Sequence, residues 1–386
     1  MKYFIKVFGC AANTADAERI SAVYVHKGWT PVSTVRQADV VILVTCMVRQ
    51  SAENRIYGMI RNLSKEKERG RKIKIILTGC MVGMALRDTT GKLLSAYKKR
   101  MPAVDGFLSI EEIGLEWQQL RSEKNHALVL ISNGCNNFCS YCVVPYARGK
   151  ERSRPLEDIL TECAYVSSHG YGSVTLVGQN VNSYGADLMQ KTLERNVPYK
   201  YERNTIHPVM VKHLGKYRIP TLFPFLLDKV CRISGIREVD FISSNPWDFS
   251  DELIGSIARN PKIKRVIHLP VQSGDREILK RMNRWYTPAE YIMLTKKIRK
   301  RIPDIRFSTD VIVGFPGETE EQFQHTLDLC KKVRFTKAYI SMYSDRPMTV
   351  AHKTMKDSVP YIQKKQRWEI LDELINKTNI RNGTYE

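Results

Sequence analysis

The run Gly134-Cys135-Asn136-Asn137-Phe138-Cys139-Ser140-Tyr141-Cys142 sets the starting point for this chain of 386 residues. Its three cysteines have the spacing Cys-x3-Cys-x2-Cys, which offers three thiolates to a four-iron cube and leaves one iron without a protein ligand. An open iron can chelate the amino and carboxylate groups of S-adenosylmethionine. An electron from the cluster can then split the sulfonium bond to give a 5′-deoxyadenosyl radical. The spacing therefore predicts a radical enzyme.

A zinc knuckle is the alternative interpretation of these cysteines. Structural zinc takes four ligands and usually joins two Cys-x-x-Cys or Cys/His arms. The segment around Cys135 has no second arm, so ligation of an iron-sulfur cluster is favoured.

Six strand-like segments, separated by helical segments, predict a parallel β/α architecture around this run. Six βα units make a partial TIM-type (β/α)6 barrel, in which chemistry sits in the loops that follow the strands. Cys135 follows the first of these strands, as this rule expects. The predicted strands are 128–132, 173–177, 239–243, 265–269, 306–313 and 338–342.

The first third of the chain reads as three strand-loop-helix repeats and predicts a smaller parallel α/β sheet. One cysteine follows each strand directly: Cys10, Cys46 and Cys80. Because the carboxyl ends of parallel strands lie along one edge of a sheet, we expect these three thiols to converge. Burial in the core would explain any single free cysteine, but it explains the threefold pattern poorly.

Composition indicates a polyanionic partner. Lysine and arginine number 61 against 40 aspartates and glutamates, a net charge of +21, and RNA is the first candidate partner, although charge also serves solubility. The nine cysteines without a secretory leader indicate a reducing, cytoplasmic location. The longest apolar run, 40–44, is too short to cross a bilayer, so no membrane role is expected.

Over nearly its whole length, the chain resembles the methylthiotransferases of the radical S-adenosylmethionine superfamily, and most closely the MiaB-type enzymes that act on adenosine 37 of tRNA. The resemblance rests on motifs around the cysteines and at the strand ends. These motifs are Gly9-Cys10 with Asn13, Asp16 and Glu18; Thr45-Cys46 with Ser51-Ala52-Glu53-Asn54-Arg55; Thr78-Gly79-Cys80-Met81; Val143-Val144-Pro145-Tyr146-Ala147-Arg148-Gly149; Ser153-Arg154-Pro155; Gly178-Gln179-Asn180-Val181-Asn182-Ser183-Tyr184-Gly185; His268-Leu269-Pro270-Val271-Gln272-Ser273-Gly274; and Ser308-Thr309-Asp310-Val311-Ile312-Val313-Gly314-Phe315-Pro316-Gly317-Glu318.

The resemblance implies two 4Fe-4S clusters: one on Cys135, Cys139 and Cys142, and an auxiliary one on Cys10, Cys46 and Cys80. It also implies two molecules of S-adenosylmethionine per turnover. One methylates sulfur held at the auxiliary cluster, and the other supplies the radical that attacks carbon 2 of N6-isopentenyladenosine in tRNA.

The partners implied are tRNA presented through its anticodon loop, a low-potential electron donor such as a flavodoxin or ferredoxin, and a sulfur donor. The protein is expected to act as a monomer.

Four polar residues at later strand ends are candidate contacts for S-adenosylmethionine. Gln179 and Asn180 follow the second barrel strand, where the superfamily usually contacts the amino group of the cofactor, and Gln272 and Asp310 face the same mouth. Hydrogen bonding within a loop is an equally good explanation for each of them.

The resemblance divides the chain into a methylthiotransferase N-terminal domain (1–120), a radical core (121–355) and a C-terminal helix (356–386). The family's RNA-binding TRAM module is expected to be absent or truncated. A polar stretch at 186–220 reads as an insertion. An apolar stripe predicts that the last helix packs on the barrel: Trp368, Ile370, Leu371, Leu374 and Ile375.

Three alternatives stay open at this point. The same chemistry could act on threonylcarbamoyladenosine in tRNA or on an aspartate of a small-subunit ribosomal protein, although the segment from Gly178 to Gly185 resembles the isopentenyladenosine enzymes most. A protein from another class would be a non-catalytic iron-sulfur electron carrier. A zinc-bound RNA-binding module is the third alternative.

Overall fold

The computed structural model describes residues 1–47, 50–110, 121, 123–194, 199–201, 204–213 and 217–384. Two parallel α/β units follow one another along these residues, the first built on one sheet and the second on a partial barrel. No helix among the described residues is both long and apolar enough to span a bilayer.

The first unit is a five-stranded parallel sheet with the strand order β2-β1-β3-β4-β5. Its central strand β3 is buried at every position, as a strand covered on both faces requires. In this doubly wound order, the chain reverses direction across the sheet between β1 and β3, which is where such folds form a crevice. The elements are β1 (Lys2–Val7), α1 (Ala11–His26), β2 (Thr30–Pro31), β3 (Val40–Thr45), α2 (Gln50–Glu68), β4 (Lys74–Gly79), α3 (Cys80–Arg87), α4 (Lys92–Arg100) and β5 (Gly106–Phe107).

The second unit contains all six predicted barrel strands, which form two three-stranded parallel sheets, β14-β9-β6 and β15-β16-β17. A parallel bridge between Val239 and Ile263 joins the two sheets into one partial barrel. The strands and helices are β6 (His126–Leu130), β7 (Ser132–Asn133), α5 (Val144–Arg148), β8 (Arg152–Ser153), α6 (Leu156–Ser168), β9 (Ser173–Val177), α7 (Ala186–Glu194), β10 (Lys200–Tyr201), β11 (Asn204–Thr205), β12 (Val209–His213), β13 (Tyr217–Thr221), α8 (Phe223–Cys231), β14 (Glu238–Phe241), α9 (Asp251–Arg259), β15 (Val266–His268), α10 (Arg276–Arg281), α11 (Pro288–Arg301), β16 (Arg306–Val313), α12 (Glu320–Val333) and β17 (Lys337–Met342).

The two faces of the barrel strands differ in their neighbours. Val129, Leu176 and Val239 belong to the large apolar core shared with the surrounding helices. Leu130 and Val177 belong to a small cluster with Ala12 of α1. The start of α1 therefore packs against the barrel strands, and this contact brings the cysteine edge of the first sheet to the barrel.

The stretch 186–220 has secondary structure of its own. It begins with α7 and contains two short antiparallel pairs, β10 with β11 and β12 with β13. The insertion predicted from sequence is thus a helix followed by two hairpins, wherever the structure describes it.

The C-terminal segment covers the outer edge of β17, the last strand of its sheet. It runs through α13 (Val350–Thr354), α14 (Tyr361–Leu371), a π-helical turn (Asp372–Lys377) and α15 (Thr378–Arg381). Asn376 accepts a hydrogen bond from the backbone of Ala338 and donates one back, at 2.9 and 2.8 Å. Side-chain amides here take the place of a neighbouring strand.

The predicted packing of the last helix is correct for four of its five apolar residues. Leu371 and Ile375 are buried, and Trp368 and Leu374 pack against the core. Ile370 is 47% exposed, so its inclusion was wrong. Ile370 lies one position before the buried Leu371, on the side of α14 that faces away from the core.

Candidate active site

Three cysteines lie at the carboxyl edge of the first sheet, and two glycines bring their loops close together. A Cβ on Gly9 would lie 3.0 Å from the Cβ of Cys46, and a Cβ on Gly79 would lie 2.5 Å from the carbonyl oxygen of Thr45. Gly79 also has φ +89°, a conformation that favours glycine. Cys10 is exposed, whereas Cys46 and Cys80 are buried.

The three thiols also affect one another electrostatically. The pKa of the Cys80 thiol is raised to about 11, mainly by burial and partly by the charges of Cys10 and Cys46, against the opposing effect of the guanidinium of Arg148. The convergence predicted from the strand ends is therefore present in the structure.

Asn13 connects the loops that carry two of these thiols. Its Nδ2 donates to the carbonyl oxygens of Thr45, at 2.7 Å, and Phe8, at 3.4 Å. Its Oδ1 lies 3.5 Å from the Sγ of Cys10. One buried side chain therefore holds the loop after β1 against the loop after β3.

The second set of cysteines lies in the loop between β7 and α5. Cys135 and Cys139 are buried, and Cys142 is half-buried. A Cβ on Gly134 would lie 2.2 Å from the carbonyl oxygen of Lys150, and Gly134 has φ +81°, so the loop closes tightly at this glycine. The pKa of Cys142 is raised to about 12, mainly by burial and partly by the charge of Cys139.

Arg284 fixes this loop to the barrel. Its Nη1 donates to the Sγ of Cys139 at 3.4 Å, and its Nη2 donates to the carbonyl oxygen of Pro270 at 3.3 Å. The guanidinium also lies 4.4 Å from the ring centroid of Trp247. A buried cation beside a thiol favours the thiolate, which is the form that ligates iron.

Packing of α3 on α5 places the two sets of thiols beside each other. Cys80 begins α3, and Cys142 lies just before α5. A Cβ on Gly83 of α3 would lie 2.1 Å from the carbonyl oxygen of Ala147 in α5. Arg87 donates to this same oxygen at 2.6 Å. The charge of Cys80 also acts on Cys142.

Acidic residues of the first unit form ion pairs with arginines of the barrel unit. Asp16 on α1 pairs with Arg148 at 2.6 Å, and Glu18 pairs with Arg121 at 3.3 Å. Glu53 on α2 pairs with Arg346, which lies in the loop after β17. The carboxylates of Asp16, Glu18 and Glu53 therefore help to hold the two units together.

The donor chemistry of the two sets fits iron-sulfur clusters. All six candidate ligands are thiols, the donors that iron-sulfur clusters use. Across the described ranges, no three His, Cys, Asp or Glu side chains lie close enough together to hold a single metal ion. A cube binds each thiolate at a separate iron, so its ligands stand farther apart than those of one ion.

A cavity of about 700 Å³ opens between Cys10, Cys46 and the strands of the barrel. The first unit contributes the loops of Cys10 and Cys46 and the side chain of Arg55 to the wall. The barrel contributes polar residues from four strands and their flanking segments. These are Asp240, Ser243, Lys264, His268, Ser308, Asp310, Thr336, Lys337 and Tyr339.

Charged groups in this cavity are arranged in pairs. The Nζ of Lys264 lies 3.9 Å from Asp240. Burial raises the pKa of Asp240, and the backbone amide of Phe241 and the charge of Lys264 partly oppose this shift. His268 lies 3.3 Å from Asp310. Tyr339 is 42% exposed, and its ring meets that of His268 edge-on.

The four predicted cofactor contacts occupy different surroundings. Asp310 lines the cavity, and the buried Gln272 donates its backbone N–H to the carbonyl oxygen of Asp310 at 2.9 Å. Asn180 is fully buried, and its Nδ2 donates to Asp248 at 2.7 Å, whereas its Oδ1 has no partner among the described residues. Gln179 is half-buried. The structure thus brings Gln272 and Asp310 together.

Sequence reasoning missed Glu151. This carboxylate is buried and accepts a hydrogen bond from Ser183 at 2.7 Å. The pKa of Glu151 is raised to about 8, mainly by burial and partly by the charges of Asp187 and Asp248, while the hydrogen bond from Ser183 acts in the opposite direction. Its own charge acts on Cys135. Between Lys150 and Arg152 in the sequence, Glu151 has the pattern of an ordinary surface charge.

Polar cavity residues also escaped notice as a group. Their signal was the alternation of polar side chains along barrel strands, as at Ser308 and Asp310 on β16 and at Lys337 and Tyr339 on β17. Alternate residues of a strand share one face. Polar residues at this spacing indicate that one face of the strand meets solvent.

Family comparisons agree with these two units. Residues 129–330 match the model of the radical SAM superfamily, and residues 2–96 match that of the uncharacterized protein family UPF0004. Among solved structures, the radical S-adenosylmethionine methyltransferase TsrM from Kitasatospora setae aligns with a TM-score of 0.53 at 13% identity, covering 91% of this chain and 77% of TsrM. The cobalamin-dependent radical enzyme OxsB aligns with a TM-score of 0.52 at 11% identity, covering 96% of this chain and 56% of OxsB. These alignments support the fold.

Curated relatives are closer in sequence. The tRNA-2-methylthio-N(6)-dimethylallyladenosine synthase of Thermotoga petrophila is 40% identical, over 98% of this chain and 82% of the relative. The enzyme of the same name from Clostridium beijerinckii is 37% identical, over 99% of this chain and 82% of the relative. The chain therefore belongs to the radical SAM superfamily and, within it, to the family of tRNA-2-methylthio-N(6)-dimethylallyladenosine synthases.

Proposed function

We propose that this protein adds a methylthio group to carbon 2 of N6-isopentenyladenosine in tRNA. One observation carries the proposal. The α3–α5 contact brings two sets of three thiols together, and the cavity opens against the thiols of Cys10 and Cys46. A reaction that joins a radical to a sulfur group needs both sites within reach of one substrate.

Six cysteines hold the cofactors in this proposal. Cys135, Cys139 and Cys142 hold the cluster that binds S-adenosylmethionine, and Cys10, Cys46 and Cys80 hold the auxiliary cluster. When bound, these groups supply the radical and the methylated sulfur. Arg284 and Arg148 contribute positive charge beside the two sets of thiols.

We also propose that S-adenosylmethionine contacts the polar residues predicted from sequence, which differ in their structural support. Asp310 lines the cavity, and Gln272 bonds the backbone of Asp310. Asn180 is buried and donates a hydrogen bond to Asp248. Its unpartnered Oδ1 is an acceptor that a bound cofactor would satisfy, because buried polar groups are rarely left unpaired.

The cavity is the proposed site of the adenine base. A volume of about 700 Å³ is within the usual range for small-ligand sites. A base in a flexible RNA loop can leave its stack at low cost and enter such a pocket. Tyr339 offers an exposed ring for stacking, and Asp240, His268 and Asp310 offer hydrogen-bonding groups at the wall.

Basic residues of α2 and α4 are suited to the RNA backbone. Arg55 of α2 lines the cavity. The last turn of α4 exposes Lys98, Lys99 and Arg100, and the guanidinium of Arg100 stacks 3.7 Å from the ring centroid of Tyr57. We infer that the partner is a tRNA that presents its anticodon loop to this surface. A low-potential electron donor and a sulfur donor complete the reaction.

The test is an anaerobic assay of the reconstituted protein with S-adenosylmethionine, sulfide, dithionite and tRNA that lacks methylthio groups, followed by mass spectrometry of the digested nucleosides. We expect methylthio-isopentenyladenosine. A matched tRNA that lacks the isopentenyl group should give no product. Methylthio-threonylcarbamoyladenosine would contradict the proposed substrate, and 5′-deoxyadenosine release without any modified nucleoside would contradict a tRNA substrate.

A further inference from the structure

Arg148 is a buried arginine that reaches from the barrel unit into the cysteine edge of the first sheet. It ends α5, six residues after Cys142, and is 4% exposed. Its Nη2 donates to the carboxylate of Asp16 at 2.6 Å and to the Oδ1 of Asn13 at 3.2 Å. Its Nη1 donates to the Oδ1 of Asn133 at 3.0 Å.

These contacts join Arg148 to the loops of all three N-terminal thiols. Asn13 holds the loop after β1, which carries Cys10, against the loop after β3, which carries Cys46. The guanidinium also lies near the thiols of Cys80 and Cys10, and its charge acts on both. Arg148 thus reaches the loops of Cys10 and Cys46 through Asn13, and it acts on Cys80 through its own charge.

The positive charge of Arg148 is not cancelled by its acidic partner. Asp16 is shared between Arg148 and Arg19, which lies 3.4 Å from the same carboxylate. A carboxylate that is shared in this way offsets the charge of Arg148 only in part. Because the site is buried, this charge is weakly screened by solvent.

We propose that Arg148 is a positioning residue for the auxiliary cluster, where it orders the loops of Cys10, Cys46 and Cys80 and makes that cluster easier to reduce. The inference rests on the proposed assignment of these thiols to a cluster. Reduction adds one electron, and hence one negative charge, to the cluster. A fixed cation beside it stabilises the reduced form more than the oxidised form.

The experiment isolates the auxiliary cluster by replacing Cys135, Cys139 and Cys142 with alanine in the full chain. The reconstituted protein is titrated with dithionite and redox mediators, and the reduced cluster is followed by electron paramagnetic resonance. Arg148→Gln should lower the reduced-to-oxidised ratio at a fixed potential at least threefold, which is about 30 mV at 59 mV per tenfold change. Arg148→Lys should restore most of this ratio, because it keeps the charge.

Arg87→Gln is the matched control. Arg87 bonds the same α3–α5 contact through the carbonyl oxygens of Ala147 and Gly83, so its loss disturbs the packing without removing the cation beside Cys80. We expect its midpoint potential to equal that of the parent. An unchanged potential in Arg148→Gln, or an equal shift in Arg87→Gln, would overturn the inference.

Iron and sulfide content separates the other outcomes. A parent that lacks Cys135, Cys139 and Cys142 and holds no cluster would refute the auxiliary cluster, and the role of Arg148 with it. If the parent holds a cluster and Arg148→Gln loses it, recovery in Arg148→Lys supports the positioning role. Loss of the cluster in Arg87→Gln as well would show that only packing matters, against the inference.

Discussion

At the scale of single residues, Glu151 is a buried carboxylate whose charged form is disfavoured by its surroundings. It is buried with Asp187 and Asp248 as acidic neighbours, and burial raises its pKa to about 8. An unfolded glutamate titrates near 4.3. Between these two values the native state binds more protons than the unfolded state, so the free energy of unfolding falls as pH rises.

Glu151→Gln should therefore make the free energy of unfolding less dependent on pH. In urea unfolding followed by tryptophan fluorescence, the parent protein should lose roughly 2–4 kcal/mol of stability between pH 5 and pH 8.5 through this group. The Gln variant should lose correspondingly less. Glu157→Gln, an exposed change in the first turn of α6, is the control. Equal pH profiles for the parent and Glu151→Gln would contradict the assignment.

Tyr339 allows a second test at this scale. Base stacking on an aromatic ring contributes about 1–3 kcal/mol, so Tyr339→Ala should raise the KM for tRNA by about tenfold or more. Tyr339→Phe should retain most of the affinity. Tyr361→Ala, which removes an exposed ring on α14, should have no effect. A normal KM in Tyr339→Ala would remove this residue from the base site.

Single residues differ in how well sequence predicts them. The cysteines are predictable because ligand spacing and strand ends are both visible in the chain. Glu151 and Asp240 are not, because their properties come from burial, and burial depends on segments distant in sequence. Ile370 was misplaced for a simpler reason: apolar character alone does not show which face of a helix is covered.

At the scale of elements, the contact between α3 and α5 determines how close the two cysteine sets lie. Gly83 permits this contact, because a Cβ there would lie 2.1 Å from the backbone oxygen of Ala147. Backbone atoms yield less readily than side chains to such a clash.

Gly83→Ala should destabilise the protein by about 1–3 kcal/mol and lower product formation more than cofactor cleavage. The first result is measured by urea unfolding and the second by the ratio of methylthiolated nucleoside to 5′-deoxyadenosine. Gly58→Ala is the matched control, because a Cβ at Gly58 of α2 meets nothing within 4 Å. It should be neutral or stabilising by roughly 0.5–1 kcal/mol. Equal behaviour of the two variants would refute the role of the α3–α5 contact.

Elements themselves were largely predictable. All six barrel strands appear where periodicity places them. The hairpins within 186–220 were missed because short polar strands such as Lys200–Tyr201 are too brief to show alternation. The α3–α5 contact was also invisible, since spacing along the chain does not report which helices touch.

At the scale of the whole molecule, a net charge of +21 predicts salt-sensitive RNA binding. Between 50 and 200 mM salt the affinity for tRNA should fall at least tenfold, the loss that about two released phosphate contacts produce. Changing Lys98 and Lys99 together to alanine should reduce this slope, measured by filter binding. Changing the exposed pair Lys331 and Lys332 on α12 should not. Binding that is insensitive to salt would contradict a backbone-directed surface.

The central claim is a division of labour between two sets of thiols, and cofactor cleavage in cysteine variants tests it most directly. Anaerobically reconstituted Cys135→Ala and Cys10→Ala proteins are compared for 5′-deoxyadenosine and for methylthio-isopentenyladenosine. We predict that Cys135→Ala forms neither, whereas Cys10→Ala still releases 5′-deoxyadenosine but forms no methylthiolated product. Equal loss of 5′-deoxyadenosine in both variants would contradict the claim.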